Sequence, residues 1–286
     1  MAELSWLRPF NVTIATAVRD ADGLRTRARA DGYLLIRGLI PAADLLAVRQ
    51  AILGVLSQAG WCDREGRVPP DIPRHTEGEA AFMSVYDAVQ RLEGFHRLAL
   101  HPALLDLYRA LFGERPLAHP RNIARVMFPA NSAQTTPPHQ DHMHIGGTPE
   151  TWTAWIPLGP CPLALGGLAL MAGSQAEPLL PVHAAPGAGG AAVDTAALDY
   201  PWAGGDMAPG DILTFHSHLV HAGLPNLTVD RMRLSVDFRY QPLSHPVRVD
   251  SLEPHHRRLS WEEIYAGWDS AADRYYWHRL GPHVVS

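Results

Sequence analysis

The arrangement of short apolar segments is the feature that most restricts the fold of this chain. After about residue 120, candidate strands follow one another, separated by proline and glycine. These candidates are residues 122–129, 137–145, 151–158, 166–171, 211–216 and 231–241. Such a series is typical of an antiparallel sandwich or barrel. Residues 184–197 are rich in glycine and alanine, which predicts a long loop between strands.

The chain before residue 120 has a different pattern. Residues 32–38 form an apolar run between two glycines, which indicates a buried strand. A helix begins at Pro41, and its apolar residues recur at every third or fourth position. A second helix covers about 101–112 and ends at Gly113. Prolines and charged residues at 63–80 predict a surface loop.

These two patterns predict one α+β domain over residues 1–286. We expect a mainly helical layer over 1–118, a strand-rich core over 119–245 and a C-terminal extension over 246–286. The extension carries an aromatic run at 273–277, which we expect to pack across the barrel or against a partner subunit.

The composition excludes several kinds of chemistry. All 24 residues counted as lysine or arginine are arginine. Without lysine there is no Schiff base for pyridoxal-phosphate or imine chemistry, and no lysine for an ordinary phosphate-binding loop. The net charge of -5, with no basic stripe, argues against nucleic acid as a partner. No apolar run reaches the ~18 residues of a membrane span, and no signal peptide is evident. We therefore expect a cytoplasmic protein.

Histidine is abundant, at 16 residues, and two segments concentrate it. The first is PPHQDHMH at 137–144, and the second is FHSHLVH at 215–221. In a strand, residues two apart face the same side, so His139 and Asp141 would present an imidazole and a carboxylate together. A third ligand from a distant strand would complete a two-histidine, one-carboxylate site with open positions, which suits ferrous iron. The spacing alone is weak evidence, because one H-x-D is what chance gives in a chain so rich in histidine.

Longer motifs occur in a defined order over residues 25–242. They are DGYLLIRGLIPAADLLAVRQAIL, TPPHQDHMHIGG, TWTAWIPLG, GGLALMAGSQ, APGDILTFHSHLVHAGLPN and RMRLSVDFRYQP. Together they resemble the phytanoyl-CoA dioxygenase family of iron- and 2-oxoglutarate-dependent oxygenases. The resemblance implies a double-stranded β-helix core (a cupin-like jelly roll) with N-terminal helices packed on one sheet. It also implies Fe(II), 2-oxoglutarate as cosubstrate and O2.

The resemblance assigns metal-binding and catalytic roles to His139 and Asp141. The distal ligand of the family lies in a segment like H-x-x-x-P-N, which here begins at His221. His221 is therefore the expected third ligand. His218 and His216 are the local alternatives.

The resemblance also implies an arginine for the distal carboxylate of 2-oxoglutarate, about eleven residues after the distal histidine. Arg231 and Arg233 both meet that spacing, and both would face one side of a strand. We prefer Arg233, because Arg233 and Ser235 match the R-x-S pattern of related oxygenases. Trp155 corresponds to an aromatic residue that lines the cosubstrate pocket.

The chain departs from the family at the P-G-S-H loop, which reads MAGSQ at 171–175. This difference can alter the loop at the mouth of the barrel. The retained Asp141 argues against halogenation, because halide-installing relatives replace this carboxylate with a small residue. Arg121, Asn122 and Arg125 precede the H-x-D segment by a hairpin-like distance, so we expect one of these arginines to point into the barrel. On family analogy, further candidates for the wall of the substrate pocket are His144, Trp152, Trp202 and Phe82.

The expected function is hydroxylation of an unactivated C–H bond in a small molecule, with release of succinate and CO2, by a monomer or homodimer. The same fold also supports desaturation, cyclisation or epimerisation. Two further alternatives are a cupin-like metal protein that does not use 2-oxoglutarate and a sandwich that only binds a ligand. The sequence does not identify the substrate.

Overall fold

The computed structural model describes residues 4–130 and 135–286. The helices are α1 (Ala21–Asp31), α2 (Ala42–Gln58), α3 (Ala80–Gln90), α4 (Glu93–Leu98), α5 (Pro102–Phe112), α6 (His142–Ile145) and α7 (Trp261–Tyr265). The first strands are β1 (Arg8–Pro9), β2 (Val12–Ile14), β3 (Tyr33–Arg37), β4 (Pro116–Ala118), β5 (Ile123–Met127), β6 (Trp152–Pro157) and β7 (Leu168–Met171). The remaining strands are β8 (Val182–Ala184), β9 (Ala191–Val193), β10 (Trp202–Gly204), β11 (Ile212–His216), β12 (His221–Gly223), β13 (Arg233–Pro242), β14 (Val247–Arg248) and β15 (Val284–Val285).

Two sheets make up the core. The large sheet has the order β2-β3-β11-β6-β13-β4, and β5 also pairs with β13. The small sheet has the order β1-β10-β7-β12. Backbone hydrogen bonds between His139 and His221 attach the segment before α6 to the free edge of β12. Strands from the first 40 residues enter both sheets, so the expected helical layer over 1–118 also contributes β1, β2 and β3.

Successive side chains along the strands of the large sheet face opposite sides, and the sheet therefore separates two apolar cores. On β3, Tyr33 and Leu35 face the small sheet and pack with residues such as Leu170. Their neighbours Leu34 and Ile36 face the other way and pack with the helices. This is the period-2 pattern of a strand covered on both sides. The helices and mixed sheets of the predicted α+β class are both present.

The predicted helices form where the apolar spacing placed them. α2 begins directly after Pro41, and α5 ends at Gly113, whose φ of 77° is left-handed. Glycine adopts this conformation without steric penalty, which explains the position of the helix end. The helices α1, α3 and α4 lie in the region expected to be mainly helical, although their individual positions were not predicted.

Two predictions for the strand region need correction. Residues 137–145 are not a strand: the segment pairs with the small sheet at His139 alone and then turns into α6. Residues 184–197 are not a plain loop, because β9 lies inside them and pairs with β8 in a hairpin. The other predicted strands correspond to β5, β6, β7, β11 and β13 within a few residues.

The aromatic C-terminal extension packs on the large sheet. Trp261, Trp268 and Trp277 are buried in one cluster with Leu117 of β4. The hydroxyl of Tyr276 donates to the carbonyl of Ala118 on the same strand at 2.9 Å. In the parts of the chain that the structure describes, no helix combines the length and apolar character needed to cross a bilayer.

Leu45 and Leu46 on α2 offer a matched test of this packing. Leu45 is fully buried in the core that the helices share with the large sheet, whereas Leu46 is 38% exposed. We expect Leu45→Ala to lower the free energy of unfolding by about 2–5 kcal/mol, because it leaves a cavity in the core. Leu46→Ala should change it by less than about 0.5 kcal/mol. Urea unfolding measures both values, and equal effects would show that α2 does not pack by this face.

Candidate active site

His139, Asp141 and His221 come together at the edge of the small sheet. Each has a donor atom within 4.8 Å of those of the other two, and all three side chains are buried. The Nε2 atoms of His139 and His221 lie 3.6 and 3.9 Å from Oδ1 of Asp141. The distal histidine preferred from the sequence is thus the one that lies beside His139 and Asp141.

Local hydrogen bonds fix which nitrogen each imidazole presents. Nδ1 of His139 donates to the carbonyl of Pro137 at 2.9 Å, and Nδ1 of His221 donates to the carbonyl of Leu219 at 3.0 Å. Both Nε2 atoms therefore carry free lone pairs that face Asp141. Burial and the nearby His139 lower the pKa of His221 to about 3, so its imidazole is neutral at pH 7.

Asp141 is held as a carboxylate. Burial by itself would raise its pKa, but the Arg239 guanidinium and the two imidazoles hold the pKa of Asp141 well below its usual range. Thr153 on β6 donates to Oδ2, which leaves Oδ1 toward the histidines. Two imidazoles and one carboxylate form a donor set that fits a ferrous ion with open positions.

The backbone around Asp141 is not the expected strand, but it still places the carboxylate beside the imidazole of His139. Asp141 has φ -59° and ψ -29°, the conformation of the residue that begins α6. His139 is extended and pairs with His221, with N···O distances of 2.9 and 3.0 Å. The turn after His139, rather than strand alternation, brings the carboxylate beside the imidazole.

The alternative histidines lie elsewhere. His218 lies in the turn after β11, and its ring is 4.9 Å from that of His142 and 5.6 Å from that of His216. Neither His216 nor His218 belongs to the cluster with Asp141. Ser217, between them, is bound through its hydroxyl to the carbonyl of Pro149, which anchors this turn.

Arg233 is a buried cation at the start of β13. Only 5% of Arg233 is exposed, and its Nη1 donates to Oγ of Ser235 at 2.9 Å. Its guanidinium carbon lies 5.6 Å from the ring centroid of Trp155. Within the described residues, no carboxylate pairs with it, and its Nε has no hydrogen-bond partner. One small cavity is lined by Arg233, Trp155 and the three clustered side chains.

Arg231 does not share this position. β13 begins at Arg233, and Arg231 precedes it as an exposed residue that bridges to Arg67. The expectation that both arginines face one side of a strand is wrong, because the strand is shorter at this end. Asn226 binds the carbonyl of Arg231 at 2.7 Å and holds the turn before the strand.

A larger cavity, of about 450 Å³, opens beside the cluster. Among the predicted substrate contacts, Arg121, Arg125 and His144 line it. The remaining four do not. Asn122 is buried against His96, Phe82 stacks between Trp61 and Tyr86, Trp152 contacts His216, and Trp202 packs on Trp6.

Sequence reasoning missed further residues of this cavity. They include Glu77, His119, Arg239 and the pair His255 and His256. One signal for Arg239 was present. Every second residue of β13 is polar (Arg233, Ser235, Asp237, Arg239, Gln241), while the residues between them are apolar. That alternation identifies the face of the strand that points into the barrel.

Comparisons with known proteins agree with this geometry. A family model described as phytanoyl-CoA dioxygenase matches residues 28–234. The 1-deoxypentalenic acid 11-beta-hydroxylase of Streptomyces exfoliatus is 33% identical over 243 residues, covering 78% of this chain and 82% of that protein. The enzyme of the same name from Streptomyces arenae is 36% identical over 172 residues, covering 54% of this chain and 59% of that protein.

A solved structure shows the same fold. The epimerase SnoN, in complex with Fe3+, alpha ketoglutarate and nogalamycin RO, aligns with a TM-score of 0.58 and 22% identity, covering 80% of this chain and 86% of that chain. The family model covers more than half of the chain, and the Streptomyces exfoliatus relative is matched over most of its length. The chain therefore belongs to the phytanoyl-CoA dioxygenase family and is an iron- and 2-oxoglutarate-dependent oxygenase.

Proposed function

We propose that this protein hydroxylates an unactivated C–H bond of a small molecule through the site formed by His139, Asp141 and His221. In the overall reaction one atom of O2 enters the substrate as a hydroxyl group. The other enters 2-oxoglutarate, which is converted to succinate and CO2. The observation that carries the proposal is the single cavity shared by the three clustered side chains and the unpaired Arg233.

The three clustered side chains would hold the iron through Nε2 of His139, Oδ1 of Asp141 and Nε2 of His221. Bound iron supplies the oxidation chemistry, namely the activation of O2 for attack on 2-oxoglutarate and on the substrate. The carbonyls of Pro137 and Leu219 hold the imidazole tautomers. Thr153 fixes the carboxylate through its second oxygen. These contacts orient the ligands before the metal arrives.

Arg233 would bind the distal carboxylate of 2-oxoglutarate, with Ser235 holding the guanidinium in place. A buried guanidinium without a counter-ion is costly, and a carboxylate matches its donor geometry. Trp155 lies beside it and forms part of the cavity wall with Phe215 and Leu168. These apolar groups exclude water from the reacting atoms, which limits side reactions.

Several finer statements belong to the same proposal. We assign the two sheets the topology of a double-stranded β-helix, and we assign Arg231 no role at the site. The substrate is a small molecule that enters the larger cavity. The prediction of a monomer or homodimer in the cytoplasm stays a prediction, as does the single-domain organisation over residues 1–286.

Hydroxylation is favoured over desaturation, cyclisation or epimerisation because both curated relatives are named as hydroxylases. The alternatives of a cupin-like protein without 2-oxoglutarate and of a sandwich that only binds a ligand are contradicted by membership in this oxygenase family. 1-Deoxypentalenic acid is the first substrate to test.

The activity is tested with Fe(II), 2-oxoglutarate and 1-deoxypentalenic acid in air. We expect succinate to form only when iron and 2-oxoglutarate are both present, and 18O from labelled O2 to appear in succinate and in any hydroxylated product. Without a matching substrate, slow uncoupled succinate formation should remain. Its absence, together with the absence of a visible charge-transfer band on anaerobic addition of iron and 2-oxoglutarate, would falsify the proposal.

The metal ligands are tested by comparing two histidines of one segment. His221→Ala should weaken Fe(II) binding by more than about 100-fold, because loss of a ligand exceeds the 10–100-fold cost of losing an outer contact. His218→Ala should bind iron like the parent protein. Anaerobic titration followed by calorimetry measures both. Equal affinities, or a loss confined to His218→Ala, would exclude His221 as a ligand.

The cosubstrate anchor is tested by a second matched pair. Arg233→Gln should weaken 2-oxoglutarate binding by about 10- to 100-fold, since a charge-assisted hydrogen bond contributes about 1.5–3 kcal/mol. Arg231→Gln should leave it unchanged, because this residue is exposed outside the cavity. The charge-transfer band gives the affinity. The assignment fails if Arg231→Gln has the larger effect.

A further inference from the structure

The larger cavity is lined by three arginines and two carboxylates. Arg121, Arg125 and Arg239 line it, against the carboxylates of Glu77 and Asp141. Arg125 is fully paired: its Nε donates to Asp237 at 2.8 Å, and its Nη1 lies 3.4 Å from Glu77. Arg239 shares only the carboxylate of Asp141, at 3.6 Å, and Arg121 has no carboxylate within 4.0 Å among the described residues.

Arg239 is buried on the inner face of β13, with 7% of its surface exposed. Its Nη2 lies 3.6 Å from Oδ1 of Asp141, which is too long for a hydrogen bond. That oxygen is also the one that faces both clustered histidines. Nε of Arg239 is buried and has no hydrogen-bond partner among the described residues.

Arg121 lies in the turn between β4 and β5, and its Nε donates to the backbone carbonyl of Glu253 at 3.3 Å. Across the described chain, no carboxylate lies within 4.0 Å of its guanidinium. The neighbouring Asp250 is held by Arg248 at 3.0 Å and by Arg257 at 3.3 Å. Burial and the positive charge of Arg239 lower the pKa of Arg121, while the carboxylates of Asp250 and Glu253 act in the opposite direction.

His119 supplies an unpaired acceptor at the same cavity. The side-chain amide of Gln241 donates to the carbonyls of His245 and Pro246, so its oxygen must accept from Nε2 of His119 at 2.8 Å. Burial lowers the pKa of His119 to about 4, and the ring is neutral at pH 7. Nδ1 therefore has a lone pair, is buried and has no partner within the described residues. This atom can accept a hydrogen bond from a hydroxyl group of a ligand.

We propose that Arg121 and Arg239 bind a carboxylate of the substrate and thereby position its apolar body beside His139, Asp141 and His221. This inference rests on the proposed function and names the substrate class, a small organic acid. A guanidinium pair offers several N–H donors in planar forks, which suit a carboxylate. A cavity of about 450 Å³ is of the size that holds a small ligand.

The test measures binding of two matched compounds to the anaerobic protein loaded with iron and 2-oxoglutarate. Adamantane-1-carboxylate and adamantane-1-methanol share one apolar cage and differ in the charged group. By calorimetry at pH 7 we expect the acid to bind at least about tenfold more tightly than the alcohol. Equal affinities, or no binding of the acid at millimolar concentration, would overturn the inference.

Substitutions of the arginines then test which residues cause the preference for the acid over the alcohol. Arg121→Gln should reduce the affinity for the acid to that of the alcohol and leave the alcohol unchanged, whereas Arg121→Lys should retain part of the preference. Arg231→Gln is the control for loss of a positive charge outside the cavity. A variant that loses affinity for both compounds would indicate damage to the cavity, so Arg239→Lys serves as a second, conservative variant that should weaken the acid alone. If neither variant weakens the acid selectively, the inference is wrong.

Two further measurements distinguish this inference from binding of a phosphate group and from failure of the proposed function. Inorganic phosphate is added as a competitor of the acid. If phosphate displaces the acid at a concentration below that at which the acid binds, the cavity prefers a phosphate group and the inference of a carboxylate is wrong. Succinate is measured in parallel in air. If succinate forms but the acid does not bind more tightly than the alcohol, the proposed role of the arginine pair is wrong and the proposed function stands. Binding of the acid without any consumption of 2-oxoglutarate contradicts the proposed function instead.

Discussion

The structure of the site depends on one backbone contact, the antiparallel pairing of His139 with His221. The N–H of each residue donates to the carbonyl of the other, at 2.9 and 3.0 Å, and joins segments that are far apart in the sequence. Their rings are brought to a centroid distance of 4.1 Å. Because Asp141 follows His139 by two residues, the same pairing also places the carboxylate. A further bond, from the N–H of Gly223 to the carbonyl of Thr136 at 2.9 Å, extends the same pairing.

The fold could be predicted from the sequence where burial controls local structure. The apolar run of β3, the spacing of α2 and the glycine after α5 are strong local signals, and the structure agrees with them. Asp141 shows the limit. The H-x-D spacing predicts two side chains on one face of a strand, but the chain turns into α6 there, and only the pairing with a distant segment determines that turn.

The site itself was predictable in part. The proximity of His139, Asp141 and His221 matches the expectation, as does the burial of Arg233 against Ser235 and Trp155. The prediction that Arg231 lies in the same strand as Arg233 was wrong, because the start of a strand depends on the segments with which its residues pair. Here Arg231 forms a bridge to Arg67 before the strand begins. The cavity residues Glu77 and His119 come from separate loops, and no local pattern relates them.

The polar face of β13 has a consequence for how this enzyme could change its substrate. Arg233 and Arg239 are six residues apart on one extended strand, so the backbone separates them by about 20 Å. A one-residue shift of β13 would turn both cations into the helical layer and the apolar residues into the barrel. The backbone distance between these two residues, the proposed anchors of cosubstrate and substrate, is therefore set by the strand itself. Adaptation to a longer or shorter molecule is left to the surrounding loops, such as the turn that carries Arg121.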